Sequence, residues 1–327
     1  MDTIEKIVAK VNEDEMCNVG IIMHDNPDSD AIGSAIALEN VLKQLQKKVT
    51  IITQNKINKT YAVVLGKGRV NKINVPSNKF DMVFVLDCSE QGRINVDYHD
   101  LSQYCIVIDH HTGFNQYGNI YWCEDVVATA MLIYRLISYM IEKGYNIKFN
   151  EKIATALYMA IRGDTFNFRN PGVDANTHFV VAKLLEQGAN VETVNEIERY
   201  QRSLFKLQQD VWNNMMYDSV YKIMYVLITR HQIEDNKSSY KEASYIVDIM
   251  KLVKDVDVAI LFLANGKNVY IKARSNTNVN IAKVMVEIGG GGHINAAGAH
   301  CYTDSAYSLM NSVIQKIKNE MDFEKSL

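Results

Sequence analysis

In the first half of the chain, short apolar runs alternate with longer stretches of helical period. The short runs have the length of β-strands, and the longer stretches repeat apolar residues at the spacing of an amphipathic α-helix. The predicted strands are NVGIIM (18–23), VTIIT (49–53), DMVFVLD (81–87) and YCIVID (104–109), and the predicted helices are 31–46, 125–143 and 151–162. This strand–helix–strand order predicts a parallel α/β sheet that is covered on both faces.

The pattern restarts after a stretch without proline or glycine at 190–216, which we expect to be a helical connector. Beyond it come the strand-like runs YKIMYVLITR, DVAILFLAN and NVYIKARS, a helix near 240–253, a helix at 279–287 and a last helix at 304–322. A chain of 327 residues is long for one core and suits two domains. We therefore predict a larger parallel-sheet domain at 1–190, a helical linker at 191–216 and a smaller α/β domain at 217–327.

The composition is that of a globular protein, with 47% hydrophobic and 22% charged residues, which excludes wholesale disorder. The net charge is only −3. Proteins that bind long duplex nucleic acid usually have a basic surface, so we expect no such partner and no bulk electrostatic attraction to one. A nucleotide partner would be short, or would be bound by a local patch of charge.

The five cysteines and the amino-terminal segment both favour a cytoplasmic protein. The cysteines, which are Cys17, Cys88, Cys105, Cys123 and Cys301, show no CxxC spacing, and an odd number cannot all pair. We expect them to be buried free thiols of a reducing compartment. The segment MDTIEKIVAKVNEDE is typical of an acidic amphipathic helix rather than a signal peptide, and no apolar run approaches the ~18 residues of a membrane span.

Metal-type ligands follow three of the predicted strands. His24, Asp28 and Asp30 come after NVGIIM, Asp87 ends DMVFVLD, and the triplet Asp109-His110-His111 ends YCIVID. A further carboxylate, Asp164, follows the predicted helix 151–162. One histidine after a strand is more often structural, but the carboxyl ends of parallel strands meet at the same edge of a sheet. Because polar residues follow three of the strands, we predict that they form one common site.

The candidate ligand set contains nitrogen and oxygen donors and no sulfur. It comprises His24, Asp28, Asp30, Asp87, His110 and Asp164. Such donors suit Mn²⁺, Mg²⁺, Co²⁺ or Fe²⁺ better than structural zinc. Six ligands are too many for one ion with open positions, whereas two ions about 3.5–4 Å apart, bridged by a carboxylate and a water, would use them all. Two such ions would make the bridging water a nucleophile that attacks phosphorus.

The motifs resemble those of the DHH phosphoesterase superfamily in order and spacing. The matching segments are HDNPDSDAIGS (24–34), VLDCS (85–89), DHH (109–111), GDT (163–165) and the run GGGGHINAAG (289–298). The segment ARSNTNVNIAKVMVEIGGGGHINAAG is similar to the DHH-associated domain of that superfamily. The combination most resembles the bacterial nanoRNase and pAp-phosphatase subfamily, and the resemblance covers nearly the whole chain.

The resemblance implies a role for each residue of the larger domain's site. His24 and Asp28 would hold one ion, and Asp30, His110 and Asp164 would hold the other. Asp87 would bridge the two ions. His111 would face the substrate phosphate, and Asp109 would fix an imidazole, as carboxylates commonly do near metal-binding histidines. The resident metal would be two Mn²⁺ ions, with Mg²⁺ or Co²⁺ as substitutes.

In the smaller domain, the resemblance implies that Arg274 and the glycine run bind the nucleotide. The residues of that run are Gly290, Gly291, Gly292 and His293. Consecutive glycines let backbone N–H groups approach a phosphate or base closely. The positively charged guanidinium group of an arginine can donate two parallel hydrogen bonds to a phosphate. Arg169, in FNFRNP, is a further candidate for a substrate contact.

The chain departs from the family's pattern at three places and retains every implied metal ligand. Ser29 stands where the first motif usually has glycine, Met131 stands where relatives have glutamate, and Phe166 stands where a glycine usually follows Asp-Thr. Phe168 follows two positions later. A bulky ring at this point would narrow the pocket or supply a surface on which a base can stack.

The function that the motifs favour is a 3′→5′ exoribonuclease on very short RNA that releases nucleoside 5′-monophosphates. Hydrolysis of pAp and of linear pApA are close variants. The expected partners are short single-stranded RNA or small adenine nucleotides, without a membrane, and the sequence is compatible with a homodimer. The alternatives are a cyclic di-AMP phosphodiesterase, an inorganic pyrophosphatase, which would share only the metal half, and a nucleotide-binding protein with an inactive site.

Overall fold

The structure is a computed structural model that describes residues 2–53, 55, 57–65, 79–88, 90–94, 96–112, 115–199 and 201–326. The chain divides into two compact units, Met1–Arg199 and Tyr200–Leu327. The division falls within the stretch predicted to be a linker. The residue ranges of the three segments derived from the sequence stay a prediction.

The first unit is built on a five-stranded sheet in which all neighbouring strands are parallel. Its strands are β1 (Asn18–Met23), β2 (Lys48–Ile52), β3 (Met82–Leu86), β4 (Cys105–Asp109) and β5 (Ile120–Cys123). They lie in the order β2-β1-β3-β4-β5. The predicted parallel α/β sheet is therefore confirmed. The sequence pattern missed β5, which has four residues and lies at the edge of the sheet.

Both faces of this sheet are covered, as the continuous apolar runs of the strands require. The helices of the unit are α1 (Thr3–Val11), α2 (Ser29–Gln44), α3 (Ala62–Leu65), α4 (Tyr98–Leu101), α5 (Thr129–Glu142), α6 (Glu151–Asp164), α7 (Ala175–Glu186) and α8 (Val191–Ile197). Phe84 of β3 belongs to a large core that it shares with α1, α2, α5 and α6. The neighbouring residues Val83 and Val85 pack on the other face against Tyr98 and Leu101 of α4.

Two glycines bring helices α2 and α6 into close contact. A Cβ atom on Gly33 would lie 2.3 Å from the backbone oxygen of Ala156, and one on Gly163 would lie 1.9 Å from Oγ of Ser29. Neither position can therefore carry a side chain unless the helices separate. This contact matters for the site because Asp30 begins one of these helices and Asp164 ends the other.

The second unit is a mixed six-stranded sheet with helices. Its elements are α9 (Arg202–Trp212), β6 (Met216–Asp218), β7 (Ile223–Thr229), α10 (Arg230–Asp235), α11 (Tyr240–Ala243), α12 (Ile246–Met250), β8 (Val258–Asn265), β9 (Asn268–Ser275), α13 (Ile281–Glu287), β10 (Gly291–His293), β11 (Ala296–Tyr302) and α14 (Ala306–Ser326). The strand order is β10-β11-β9-β8-β7-β6, in which β7 and β8 are parallel and the other neighbours are antiparallel. The prediction of two α/β domains is confirmed.

The stretch predicted to be one helical connector forms the two helices α8 and α9. Each is anchored in the core of its own unit. Val194 of α8 is buried in the core of the first unit, whereas Leu204, Leu207 and Val211 of α9 are buried in the core of the second. Separate anchoring explains why the helical pattern does not continue unbroken.

All five cysteines are free thiols, as predicted. Cys88 and Cys105 are buried and Cys123 and Cys301 are half-buried, but Cys17 is exposed, so the prediction of burial was wrong for this residue. Cys17 lies in the turn between α1 and β1, outside the apolar run that begins at Val19. Among the helices that the structure describes, none combines the length and the apolar character that a membrane span needs.

Candidate metal centre

Three neighbouring strands deliver the polar residues to one edge of the first sheet. Met23, the last residue of β1, pairs with Leu86 of β3, which in turn pairs with Ile108 of β4. The strands therefore end level with one another, and the residues that follow them are adjacent in space. Asp87 has a φ of 57°, in the left-handed region that non-glycine residues seldom adopt. Backbone strain of this kind is typical of functional sites.

The side chains after these strands converge on the carboxylate of Asp87. Its Oδ2 lies 3.9 Å from Nε2 of His24, and its Oδ1 lies 3.6 Å from Nε2 of His110. His24 Nε2 is also 3.9 Å from Oδ2 of Asp28. Asp87 is almost fully buried, with 2% of its surface exposed. It is thus a central carboxylate between two histidines that come from different strand ends.

The other two carboxylates come from the closely packed helices α2 and α6. Asp164 Oδ2 lies 3.3 Å from Nε2 of His110. Asp30 is fully buried, and its oxygens accept hydrogen bonds from the backbone N–H groups of Thr129 (2.6 Å) and Ala130 (3.0 Å). These N–H groups belong to the first turn of α5, where the helix dipole stabilises a negative charge. The amino end of α5 therefore holds the Asp30 carboxylate in place.

Within the described part of the chain, the donor atoms form three groups that could each hold a metal ion. The atoms of a group lie within 4.8 Å of one another, and the groups are His24–Asp28–Asp87, Asp30–His110–Asp164 and Asp87–His110–His111. Asp87 and His110 each belong to two groups. The structure therefore brings together all six side chains that the sequence singled out as ligands.

Electrostatics within the site are unfavourable without a cation. Burial raises the pKa of Asp30 well above its usual value, and repulsion from Asp87 and Asp164 adds to this shift. Burial and repulsion from Asp28 likewise raise the pKa values of Asp87 and Asp164. A buried group of carboxylates is costly unless a positive charge neutralises it. This arrangement points to bound cations.

The hydrogen bonds of the site also fit a metal centre. Nδ1 of His110 lies 2.9 Å from the backbone oxygen of Val126, which can only accept, so Nδ1 carries the proton. The other ring nitrogen, Nε2, lies 3.6 Å from Asp87 and 3.3 Å from Asp164, on the side of the candidate metal ligands. A backbone carbonyl that fixes the tautomer of a metal-binding histidine is a common supporting contact. Oxygen and nitrogen donors without sulfur suit Mn²⁺, Mg²⁺ or Co²⁺.

His111 and Asp109 form a pair beside these ligands. Nδ1 of His111 lies 2.7 Å from Oδ1 of Asp109, which is fully buried and also accepts from the backbone N–H of His111 at 3.1 Å. Burial alone would lower the pKa of the imidazole. The hydrogen bond to Asp109 and the charges of the nearby carboxylates outweigh burial and raise the pKa of His111 to about 9. The ring is thus an oriented, cationic donor.

Two supporting residues were missed by the analysis of the sequence. Thr129 donates its hydroxyl to Oδ1 of Asp87 at 3.0 Å, and Asn170 donates its side-chain amide to the backbone oxygen of Asp164 at 2.8 Å. Neither stands in a recognisable motif. The one available signal for Thr129 was its place near the start of a predicted helix.

The family departures lie at packed positions. Ser29 fills the space next to Gly163, and Met131 is buried in the large core of the first unit. Phe166, Asn167 and Phe168 have φ values of 51°, 57° and 63°, so the chain makes a left-handed turn directly after Asp164. The Phe168 ring lies 5.6 Å from that of His178 and packs against the core, whereas Phe166 is half-buried.

Comparison with known protein families gives two matches that together span most of the chain. Residues 18–161 match the DHH family, N-terminal domain, and residues 221–320 match the DHHA1 domain. The chain belongs to the DHH family. It is a phosphoesterase of that family, as its motifs predicted, and residues 109–111 are the DHH triplet itself.

Bacterial relatives match the chain over nearly its whole length. The probable bifunctional oligoribonuclease and PAP phosphatase NrnA of Streptococcus mutans is 23% identical over 98% of this chain and 99% of its own. The NrnA protein of Thermus thermophilus is 25% identical over 97% of this chain and 94% of its own. A solved structure, the exopolyphosphatase-related protein from Bacteroides fragilis, has a TM-score of 0.87 at 22% identity, covering 98% of this chain and 97% of that one. This structural match shows the shared fold.

In the DHHA1 domain, the predicted binding residues lie on neighbouring strands. Arg274 of β9 pairs with Ala296 of β11, which pairs with His293 of β10. Nε of Arg274 lies 2.7 Å from Oδ1 of Asp248. His293 is exposed on the edge strand. Arg169 is exposed in the loop after α6 of the first unit.

The glycine run forms the edge strand β10 rather than a loop. Cβ atoms on Gly290 and Gly292 would lie 2.2 Å and 2.5 Å from backbone oxygens of β11, so the fold itself requires these two glycines. A Cβ on Gly291 would meet no atom within 4 Å. The fold therefore gives no reason for a glycine at 291, and a ligand that approaches the backbone would supply one.

Proposed function

We propose that this DHH-family protein is a metal-dependent 3′→5′ exoribonuclease on short oligoribonucleotides, including pApA, and a phosphatase of pAp. Its products would be nucleoside 5′-monophosphates. The observation that carries the proposal is the set of three donor groups linked by Asp87 and His110, each of which belongs to two of the groups. The names of the near full-length relatives, which include oligoribonuclease and PAP phosphatase, support the choice of substrates.

Two Mn²⁺ ions are the proposed cofactors, with Mg²⁺ or Co²⁺ as substitutes. His24 and Asp28 would hold one ion, Asp30, His110 and Asp164 the other, and Asp87 would contact both. Divalent ions bound there would polarise the phosphoryl oxygens and lower the pKa of a coordinated water. The protein's own task is to keep six donors fixed at short distances, through the α5 amino end that holds Asp30 and the carbonyl of Val126 that orients His110.

His111 is the proposed donor to the substrate phosphate. Asp109 lies 2.7 Å from Nδ1 and orients the ring, so a substrate phosphate would meet the other ring nitrogen, Nε2. Burial lowers the pKa of the ring, but the hydrogen bond to Asp109 raises it, which favours a proton at this nitrogen. A charge-assisted hydrogen bond from Nε2–H to a phosphoryl oxygen would be strongest when negative charge develops on that oxygen.

The proposed substrate contacts outside the metal centre are Arg274, His293, Arg169 and the glycines at 290–292. Arginine can form two parallel hydrogen bonds to a phosphate. Among the strands that the structure describes, β10 has a neighbour on one side only, so its outer edge presents backbone groups outside the sheet. A net charge of −3 suits a substrate with few phosphates. We place the activity in the cytoplasm, a setting that five free thiols fit.

The experiment that tests the function is a product profile across a substrate panel. Purified protein with Mn²⁺ is incubated with pAp, pApA, ribonucleotides of three to five residues, cyclic di-AMP and inorganic pyrophosphate, and the products are separated by chromatography. We expect stepwise release of nucleoside 5′-monophosphates from the linear RNAs and AMP from pAp. Turnover of cyclic di-AMP or pyrophosphate alone would overturn the proposal, and so would binding of RNA without any product.

A further inference from the structure

One face of the second sheet carries an open strip beside the proposed nucleotide contacts. Alternate residues of β9 point into the core with α13 and α14, and the others point to the opposite face. The residues of that face on β9 and their partners on β11 are Tyr270 with His300, Lys272 with Gly298, and Arg274 with Ala296. We call these three pairs the β9–β11 strip.

Lys272 is the cation at the centre of the strip. It is half-buried, and among the described residues its ammonium makes one hydrogen bond, to Oγ of Ser244 at 3.2 Å. An ammonium group has three donors, so two remain for a ligand. Burial lowers the pKa of Lys272, and the positive charge of Arg274 lowers it further. An anion at this point would relieve that unfavourable charge.

Positive charge exceeds negative charge around Lys272. Arg274 is paired with Asp248, whose Oδ1 lies 2.7 Å from Nε. The same arginine and burial both act on Lys251 and lower its pKa. Among the described residues, Lys251, Lys272 and Arg274 thus all lie near the carboxylate of Asp248, which already bonds Arg274. Lys241 adds a further positive charge near Lys272. A partly buried cluster of this composition favours the binding of an anion.

The row that contains Lys272 leaves room for that anion. Lys272 pairs with Gly298 of β11, which pairs with Gly291 of β10, so the two strands on that side of Lys272 carry no side chain in this row. On its other side, Lys272 pairs with the buried Leu261 of β8. A Cβ at Gly298 would lie 2.7 Å from the backbone oxygen of Ile271, and one at Gly291 would meet nothing within 4 Å. The backbone of Gly298 and Gly291 is therefore uncovered by side chains of its own next to the ammonium group of Lys272.

An aromatic pair occupies the next row. The rings of Tyr270 and His300 stack with centroids 4.4 Å apart and planes 6° from parallel. Both side chains are exposed, Tyr270 to 43%. Successive rows of one strand face lie about 6.6–6.8 Å apart, so the pair is one short step from Lys272. Proteins that bind single-stranded nucleic acid without sequence preference combine these two features: aromatic rings stack against the bases, and cations neutralise the phosphates.

We propose that the β9–β11 strip is a subsite for an additional nucleotide of a single-stranded oligonucleotide. Lys272 binds its phosphate, and the Tyr270–His300 pair stacks against its base. A second nucleotide, the one that Arg274 is proposed to contact, would lie over the neighbouring pair of the strip, Arg274 and Ala296. The proposal rests on the proposed function and extends it, because an occupied strip makes the protein prefer oligonucleotides over the mononucleotide pAp.

The first test compares specificity constants across substrate lengths. Lys272→Met, Tyr270→Ala and His300→Ala are compared with Lys254→Met and Tyr307→Ala, two exposed positions of the same unit outside the strip. We expect the three strip variants to lower the ratio of kcat/KM for a triribonucleotide to kcat/KM for pAp by about tenfold or more. The controls keep the wild-type ratio. Equal losses on both substrates, or unchanged ratios in all three strip variants, would overturn the subsite.

The second test measures binding without turnover, which separates the subsite from the proposed function. A fluorescently labelled pentaribonucleotide is titrated with the full chain in EDTA, and anisotropy gives Kd. We expect each strip variant to raise Kd about tenfold or more at constant salt, and the controls to match wild type. If the variants lose binding while wild type hydrolyses no RNA, the subsite stands and the nuclease proposal fails. If wild type hydrolyses RNA and the variants bind normally, the nuclease proposal stands and the subsite fails.

Discussion

Asp87 is the residue on which the candidate metal centre depends most. It is the carboxylate that two donor groups share, it is buried, and its left-handed backbone directs the side chain between His24 and His110. Thr129 fixes one of its oxygens by a hydrogen bond of 3.0 Å. Without this carboxylate, the donor group that contains His24 would no longer share a residue with the group that contains His110 and His111.

We predict that Asp87→Ala abolishes hydrolysis of every substrate. The loss should reach at least about a hundredfold, because the two bound ions would no longer be held at a fixed distance from each other. The measurement is initial rate on pApA and on bis-p-nitrophenyl phosphate at saturating Mn²⁺. Asp14→Ala, an exposed carboxylate in the turn after α1, is the matched control and should keep wild-type rates. More than a few per cent of residual activity in Asp87→Ala would contradict the shared role.

The identities of the site residues were predictable from the sequence, whereas their supporting contacts were not. His24, Asp87 and His110 follow apolar runs, and the rule that strand ends meet at one edge brings them together. The contacts of Thr129 and of the Val126 carbonyl depend on where α5 begins in space, and no local pattern encodes this. The half-buried Phe166 shows the same limit, since its left-handed φ of 51° is a property of the tertiary structure.

At the scale of elements, the site depends on how closely α2 approaches α6. Gly33 and Gly163 permit this approach, and it brings Asp30 and Asp164 to the same histidine. The amino end of α5 then completes the arrangement around Asp30.

We predict that Gly33→Ala destabilises the first unit and weakens metal binding. The added methyl group would lie 2.3 Å from the backbone oxygen of Ala156, so the helices must separate. Overpacking of this kind costs about 1–3 kcal/mol. Thermal unfolding and Mn²⁺ titration of the variant provide the measurement. Gly92→Ala is the control, because its Cβ would meet no atom within 4 Å. Equal melting temperatures for the two variants would refute the packing argument.

The glycine run supplies a second prediction at this scale. Gly292→Ala should destabilise the second unit, because it has a φ of 139° and its Cβ would lie 2.5 Å from the backbone oxygen of Ala296. Gly291→Ala should leave the melting temperature unchanged and raise KM for pApA, because only a ligand would meet the new methyl group. Should Gly291→Ala leave KM unaltered, the glycine at 291 would have no role in binding.

Strong periodic elements were predictable, and short edge elements were not. Strands β1, β3 and β4 are runs of mostly buried apolar residues, and β2 ends in the buried pair Ile51 and Ile52, so their pattern was clear. The edge strands β5 and β10 have four and three residues, and β10 is mostly glycine. Their strand structure comes from hydrogen bonds to a neighbouring strand, β4 for β5 and β11 for β10, rather than from the propensity of their own residues.

At the scale of the whole molecule, we propose that the first unit hydrolyses the phosphoester and that the second unit recognises the nucleotide. Length and the restarting pattern already predicted two domains, and the match to two separate family domains agrees with this division. Two units with separate tasks should respond separately to mutation.

We predict that Arg274→Ala and His293→Ala impair nucleotide substrates selectively. Loss of a charge-assisted phosphate contact corresponds to about 1.5–3 kcal/mol, or roughly ten- to a hundredfold in kcat/KM for pApA or pAp. The small ester bis-p-nitrophenyl phosphate does not fill a nucleotide site, so its hydrolysis should change little. Equal losses on both kinds of substrate would mean that the second unit shapes the metal centre itself.

The measurement that tests the central claim most directly is the metal dependence of AMP release from pApA. The protein is treated with EDTA, desalted and assayed with no metal, Mn²⁺, Co²⁺, Mg²⁺ or Zn²⁺. Because the donors are carboxylates and imidazoles without sulfur, we expect no release in the metal-free sample and full recovery with Mn²⁺ or Co²⁺. Undiminished release without metal, or recovery with Zn²⁺ alone, would contradict the metal centre described for this site.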